Sequence, residues 1–272
     1  MKNPVITLIL YAISYLGIAL PAAAHEFWLE PQNYQPETGA TLQVKLRNGQ
    51  EFKGIEIGYF DTRIEMFDWL QNQTRKPVIS RAGDFPAMTM QASRDGLMVL
   101  AYESTRSTVQ YRNLGKFLEF AKHKDLKDAE ERHKLRGLPE GRFSETYTRF
   151  CKSLIGIGSG VGHDVETGME TEFVALANPY TDDLANSFKV QLIYQGRPRI
   201  NAQIEVFERS SDAVVEITTL HTDNQGYAII PVKSQHSYML DAVVLREPDE
   251  TVADQNNVVW ETLWASITFH VP

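Results

Sequence analysis

Cysteine is nearly absent from this chain. Cys151 is the only one in 272 residues, which excludes an intrachain disulfide and a zinc cage built from thiolates. Seventeen glycines and twelve prolines are too few for a collagenous or low-complexity chain. Basic residues are also short, since 27 Lys and Arg against 35 Asp and Glu leave a net charge of -8. That balance argues for no nucleic acid partner, because phosphate binding needs a basic footprint. No G-x-S-x-G elbow, H-E-x-x-H pair or cysteine nucleophile with a nearby histidine motif is present, so no catalytic residue is assigned.

What is present begins with a targeting segment. Lys2 precedes an apolar run over 5–20, Pro21 breaks it, and Ala22-Ala23-Ala24 supplies a small-residue cleavage pattern. The expectation is a signal peptide over 1–24 and a periplasmic or secreted mature protein. An uncleaved anchor is the alternative. In an oxidising compartment Cys151 is expected to survive by burial.

Cleavage after Ala24 makes His25 the first residue of the mature chain. A terminal histidine offers its amino nitrogen and its imidazole to one metal, a nitrogen donor set that suits Cu(II) or Ni(II). The amino group has a reference pKa near 8, so a metal displaces its proton at neutral pH. The competing reading is that His25 merely opens a strand beside Phe27 and Trp28.

Two β-rich regions flank a helical segment. In the first, 25–113, Leu42, Val44 and Leu46 alternate and Asn48-Gly49 marks a hairpin turn before Phe52. Segments 88–90 and 97–102, separated by Arg94-Asp95-Gly96, read as a second hairpin. Over 114–156 the period turns helical: Leu114, Phe117, Leu118 and Ala121 lead, and Ser144 is placed to cap a second helix. Tyr147, Phe150, Cys151, Leu154 and Ile155 would form that helix's apolar stripe. His123 and His133 lie in a charged run and read as solvated.

Segment 157–176 is a glycine-rich, acidic loop carrying His163-Asp164, with Glu166, Glu170 and Glu172 after it. No strand–glycine–helix context supports a nucleotide site there. The region 177–272 shows short alternating strands with turn signals between them, including Phe188, Val190 and Leu192. His221 ends one strand beside a turn, and His270 is expected to face solvent from the last. The fold class is therefore mainly β, with two immunoglobulin-like antiparallel β-sandwich regions and a helical insertion between them.

Several stretches carry a family resemblance. Ala24-His25-Glu26-Phe27-Trp28-Leu29-Glu30-Pro31 resembles the opening of an exported bacterial family named for an uncharacterised domain. Some of its members are described as nickel-uptake transport (NikM-like) proteins. Tyr147-Thr148-Arg149-Phe150-Cys151-Lys152, Asn178-Pro179-Tyr180, Gly196-Arg197-Pro198 and Trp264-Ala265-Ser266 are similar to it as well. The resemblance implies export, a β-sandwich architecture and a link to nickel or cobalt uptake.

Three functional expectations follow from different classes. In the leading one, an exported accessory protein captures or delivers a divalent transition metal (nickel, cobalt or copper) for a membrane uptake system or outer-membrane receptor. His25 supplies two nitrogens and His163 or His221 completes the site, with Glu26 or Asp164 orienting an imidazole. The second is a β-sandwich binding or structural module without metal. The third is a copper-dependent oxidase on the same terminal histidine, which needs a second histidine and an open position for oxygen.

Overall fold

The structure is a computed structural model that describes residues 25–272; the expected signal peptide lies outside the described residues. Three sheets stack around a shared centre. An outer four-stranded sheet holds β1 (Glu26–Pro31), β2 (Thr41–Gln50), β3 (Lys53–Ile57) and β6 (Met88–Gln91). A central nine-stranded sheet takes β4 (Ile64–Gln71), β5 (Thr74–Pro77), β7 (Gly96–Ser104), β8 (Ser107–Tyr111) and β9 (Phe143–Ile157) from the first half. From the second half it takes β13 (Gln203–Arg209), β14 (Val215–His221), β16 (His236–Arg246) and β17 (Trp260–Val271). The remaining outer sheet comprises β10 (Thr171–Ala175), β11 (Ser187–Tyr194), β12 (Arg197–Pro198) and β15 (Tyr227–Pro231).

The period-2 pattern of the central strands explains the layering. On β7, Leu97 and Val99 enter a core shared with Phe188 and Val190 of β11, while Met98, Leu100 and Tyr102 enter a core shared with Leu42 and Val44 of β2. The two sandwich cores therefore lie on opposite faces of one sheet. Its halves join where β17 pairs in parallel with β9, an unusual contact in an otherwise antiparallel sheet. Each fully buried Phe or Leu in these layers contributes about 1.5–3 kcal/mol.

Edge strand β1 is covered by this centre. The Phe27 carbonyl accepts hydrogen bonds from Ser266 Oγ at 2.9 Å and from Cys151 Sγ at 3.4 Å, and the Leu29 carbonyl accepts from Thr268 Oγ1 at 2.7 Å. Carbonyls that a free sheet edge would leave unpaired are thus satisfied by side chains.

The helical insertion consists of α1 (Leu114–His123), capped by the Asn113 side chain, and α2 (Ala129–Leu135). The second helix expected beyond Ser144 does not form, since that stretch is β9. Its Thr146, Thr148 and aromatic neighbours favour an extended chain. Both faces of β9 are buried, so its apolar positions fall by coincidence at helical spacing. Two turns also move. The first hairpin turns at Glu51-Phe52, with φ of 54° and 58°, three residues beyond Asn48-Gly49. Gly49 instead pairs across from Gly54, so close that a Cβ on it would lie 2.3 Å from the Gly54 Cα. Phe52 is thereby buried against Trp28. Segments 88–90 and 97–102 are not a hairpin either, because β6 pairs with β2 while β7 pairs with β4 and β9.

Two histidines depart from expectation. His133 is fully buried, accepting from Trp260 Nε1 at 3.1 Å on Nδ1, with Nε2 3.0 Å from the Pro139 carbonyl. His270 is half-buried, stacked near Tyr34 and 3.1 Å from Ser237 Oγ. The face of β17 it shares with Ser266 and Thr268 lies under β1 rather than in solvent.

Candidate functional site

A cavity of about 510 Å³ opens at one end of the first sandwich, where β7 gives way to β8 along β9. Phe27, Leu46 and Ile57 line it from the outer sheet, and Tyr102, Tyr147 and Arg149 from the central sheet. Arg63 and Phe60 stand on one wall, and His25 lines it from just ahead of β1. Two arginines and no Asp or Glu line this cavity among the described residues.

Arg149 is 6% exposed. The parallel register places it opposite Trp264, and its guanidinium lies 4.1 Å from that ring's centroid and 5.0 Å from that of Tyr147. Its backbone N–H donates to Ser104 Oγ, but among the described residues the buried Nη1 has no hydrogen-bond partner. Burial pulls this guanidinium below the usual arginine value, and Asp241 opposes the shift through its field. An unpartnered buried cation is costly unless something compensates it.

Beside the cavity lies a buried ionic cluster. Lys124 Nζ contacts Asp241 at 2.9 Å, Glu26 at 3.5 Å and Glu205 more closely still. His123 is exposed and pairs with Glu205 at 2.8 Å. Burial pushes the Glu26 carboxyl up to about 7, against the pull of Lys124. A second cluster is wholly enclosed: Lys152 Nζ lies 2.7 Å from Asp164 and 3.2 Å from Glu172. Glu172 also accepts from the Thr167 and Gly168 backbone, which fixes the acidic loop.

The sequence-derived site residues separate in space. His25 is exposed and makes no side-chain hydrogen bond among the described residues. His163 is exposed in the glycine-rich loop, lining another cavity with Leu70 and Gln71. His221 ends β14 at the central sheet's edge, with Nε2 2.9 Å from Asp125 Oδ2. Glu26 and Asp164, expected to orient an imidazole, instead face Lys124 and Lys152. Among the described residues no three His, Cys, Asp or Glu side chains converge as metal ligands.

Arg149, Lys124 and Lys152 were not singled out by sequence reasoning. The signal available was the stretch Tyr147–Lys152 itself, once read as a strand. The family-like stretches do meet in space. The start of β1 accepts hydrogen bonds from β9 and β17, and Trp264 of β17 underlies Arg149 of β9. Asn178 Nδ2 donates to the Gly160 and Gly162 carbonyls at 2.8 and 2.9 Å, so the Asn-Pro-Tyr stretch pins the glycine-rich loop.

Fold and site together define a layered β protein with a cation-floored cavity at the head of its first strand. A family model described as a domain of unknown function (DUF4198) matches residues 22–246, and the chain belongs to that family. No curated protein matches the sequence. Among solved structures, the D0-D1 domain of Intimin is similar at 10% identity, over 89% of this chain and 97% of that one, with a TM-score of 0.22.

Proposed function

We propose that the chain is an exported accessory protein that captures a divalent transition metal (nickel, cobalt or copper) on His25 and delivers it for uptake. The placement of His25 supports this reading: it is exposed ahead of β1, at a cavity, with no competing side-chain hydrogen bond among the described residues. Removal of 1–24 would give it an amino nitrogen beside its imidazole. The donor set fits capture by that one residue, with water or a partner completing the coordination. It does not fit a cage that includes His163 or His221, which stand elsewhere. The oxidase alternative needed a second histidine beside His25, and nothing further supports it.

Intact mass and calorimetric titration with Ni(II) and Cu(II) on the exported protein test the proposal together. The expected result is a chain starting at His25 that binds one metal and loses it in His25→Ala. A chain starting at His25 that binds neither metal stoichiometrically overturns the reading. The second reading, a binding module that needs no metal, is favoured by one observation: the unpartnered Arg149 in the cavity.

A further inference from the structure

We propose that the cavity between β1 and β9 binds a small organic carboxylate, whose anionic end pairs with Arg149 and whose apolar body lies among Phe27, Tyr102 and Tyr147. The inference rests on the cavity and does not require metal capture, although His25 lines the same cavity.

Three observations carry it. First, Arg149 is a cation at least nine-tenths buried that lines the cavity, and its enclosed Nη1 has no partner among the described residues, so its charge is uncompensated by hydrogen bonds there. Asp241 reaches it only through the field, being hydrogen-bonded itself to Lys124. The guanidinium lies over Trp264 at 4.1 Å and Tyr147 at 5.0 Å from the ring centroids, contacts that place it before any ligand arrives. A preset planar fork suits a carboxylate's two oxygens.

Second, the sign of the lining selects for anions. In a protein with eight more acidic than basic residues, the cavity shows Arg63 and Arg149 and no carboxylate among the described residues. A bare inorganic anion would leave the remaining walls unused. Third, those walls are aromatic and aliphatic, and a volume of about 510 Å³ is in the range of cavities that enclose small organic ligands. Ser107 and Thr108 at the rim add hydroxyls that hydrogen-bond a polar substituent.

Calorimetric titration of the exported protein with indole-3-acetate, benzoate, benzamide and inorganic phosphate tests the proposal. A carboxylate is expected to bind with a Kd below about 1 mM and benzamide at least about tenfold more weakly than benzoate. Arg149→Lys keeps the charge but loses the fork, and should weaken carboxylate binding about tenfold. Should Arg149→Lys fail to fold, Ser107→Trp decides, because it closes the rim from an exposed position and is expected to abolish binding. Arg149→Lys is expected to leave metal binding intact, and the carboxylate titrations are run without metal, so the two readings fail separately. Equal binding of benzoate and benzamide overturns the proposal, as does no carboxylate binding below about 10 mM. Phosphate binding as tightly as the carboxylates would show an inorganic-anion site and overturn it as well.

Discussion

Lys152 and Asp164 meet at 2.7 Å with neither side chain exposed to solvent. Asp164 also accepts from the Val165 and Ala175 backbone, and Glu172 closes the cluster from β10. The glycine-rich loop is therefore tied to the central sheet by charge. Lys152→Met would leave two carboxylates buried without their cation, and a loss of about 3–5 kcal/mol is expected. Chemical denaturation measures it, and a loss under about 1 kcal/mol would show the cluster to be dispensable.

Glu145 predicts the sign of a pH effect. It is fully buried on β9, accepting hydrogen bonds from Tyr111 and Thr262, and burial pushes its carboxyl up to about 7 from 4.5. The folded state thus holds a proton that the unfolded chain has released. Stability from this group is fully present below pH 4.5 and is lost as pH rises through 7, by up to about 3 kcal/mol. Glu26 shifts in the same direction. Glu145→Gln should flatten part of the decline in melting temperature between pH 5 and 8. An unchanged slope in the variant would refute the assignment.

The thiol of Cys151 is expected to be inert in the native protein. It is 1% exposed, donates to the Phe27 carbonyl, and burial pushes its pKa up to about 12. The thiolate is the reactive form. A disulfide reagent should label it only after denaturation, and rapid labelling of folded protein would count against the packing of β1 on β9.

Gly156 tests the seat of the Asn-Pro-Tyr stretch. A Cβ there would meet the Tyr180 ring at 2.7 Å, while the Tyr180 hydroxyl donates to the Leu154 carbonyl at 2.5 Å. Gly156→Ala is expected to cost about 1–3 kcal/mol through overpacking. Pairing it with Tyr180→Ala should recover part of that loss; a purely additive double variant would rule out the clash as its cause.

Strands with one buried face were legible in the sequence. Leu42, Val44 and Leu46, or Phe188, Val190 and Leu192, alternate because only their inner faces pack against the centre. Strand β9 was not legible, because Cys151 serves one core and Leu154 the other, which erases the alternation. The site was half visible. His25 announces itself by position beside an expected cleavage point. A lone arginine has no spacing signal, and Arg149 gains its meaning only from the register that sets it opposite Trp264. His133 was misread because its charged neighbours on α2 say nothing about Trp260, contributed by the chain 127 residues later.

The placement of β17 has a consequence in time. This strand, the last in the sequence, lies between β9 and β16 at the middle of the central sheet, and its Ser266 and Thr268 hold down β1 at the opposite end of the chain. The second core cannot close until residues 260–271 are available, since Ala265, Ile267 and Phe269 belong to it, and until then β1 lacks the hydroxyls that pair its carbonyls. Assembly dominated by such distant pairings is slow. The half built around β17 therefore stays open until the end of synthesis, and β1, made first, is the strand that waits longest for its partners.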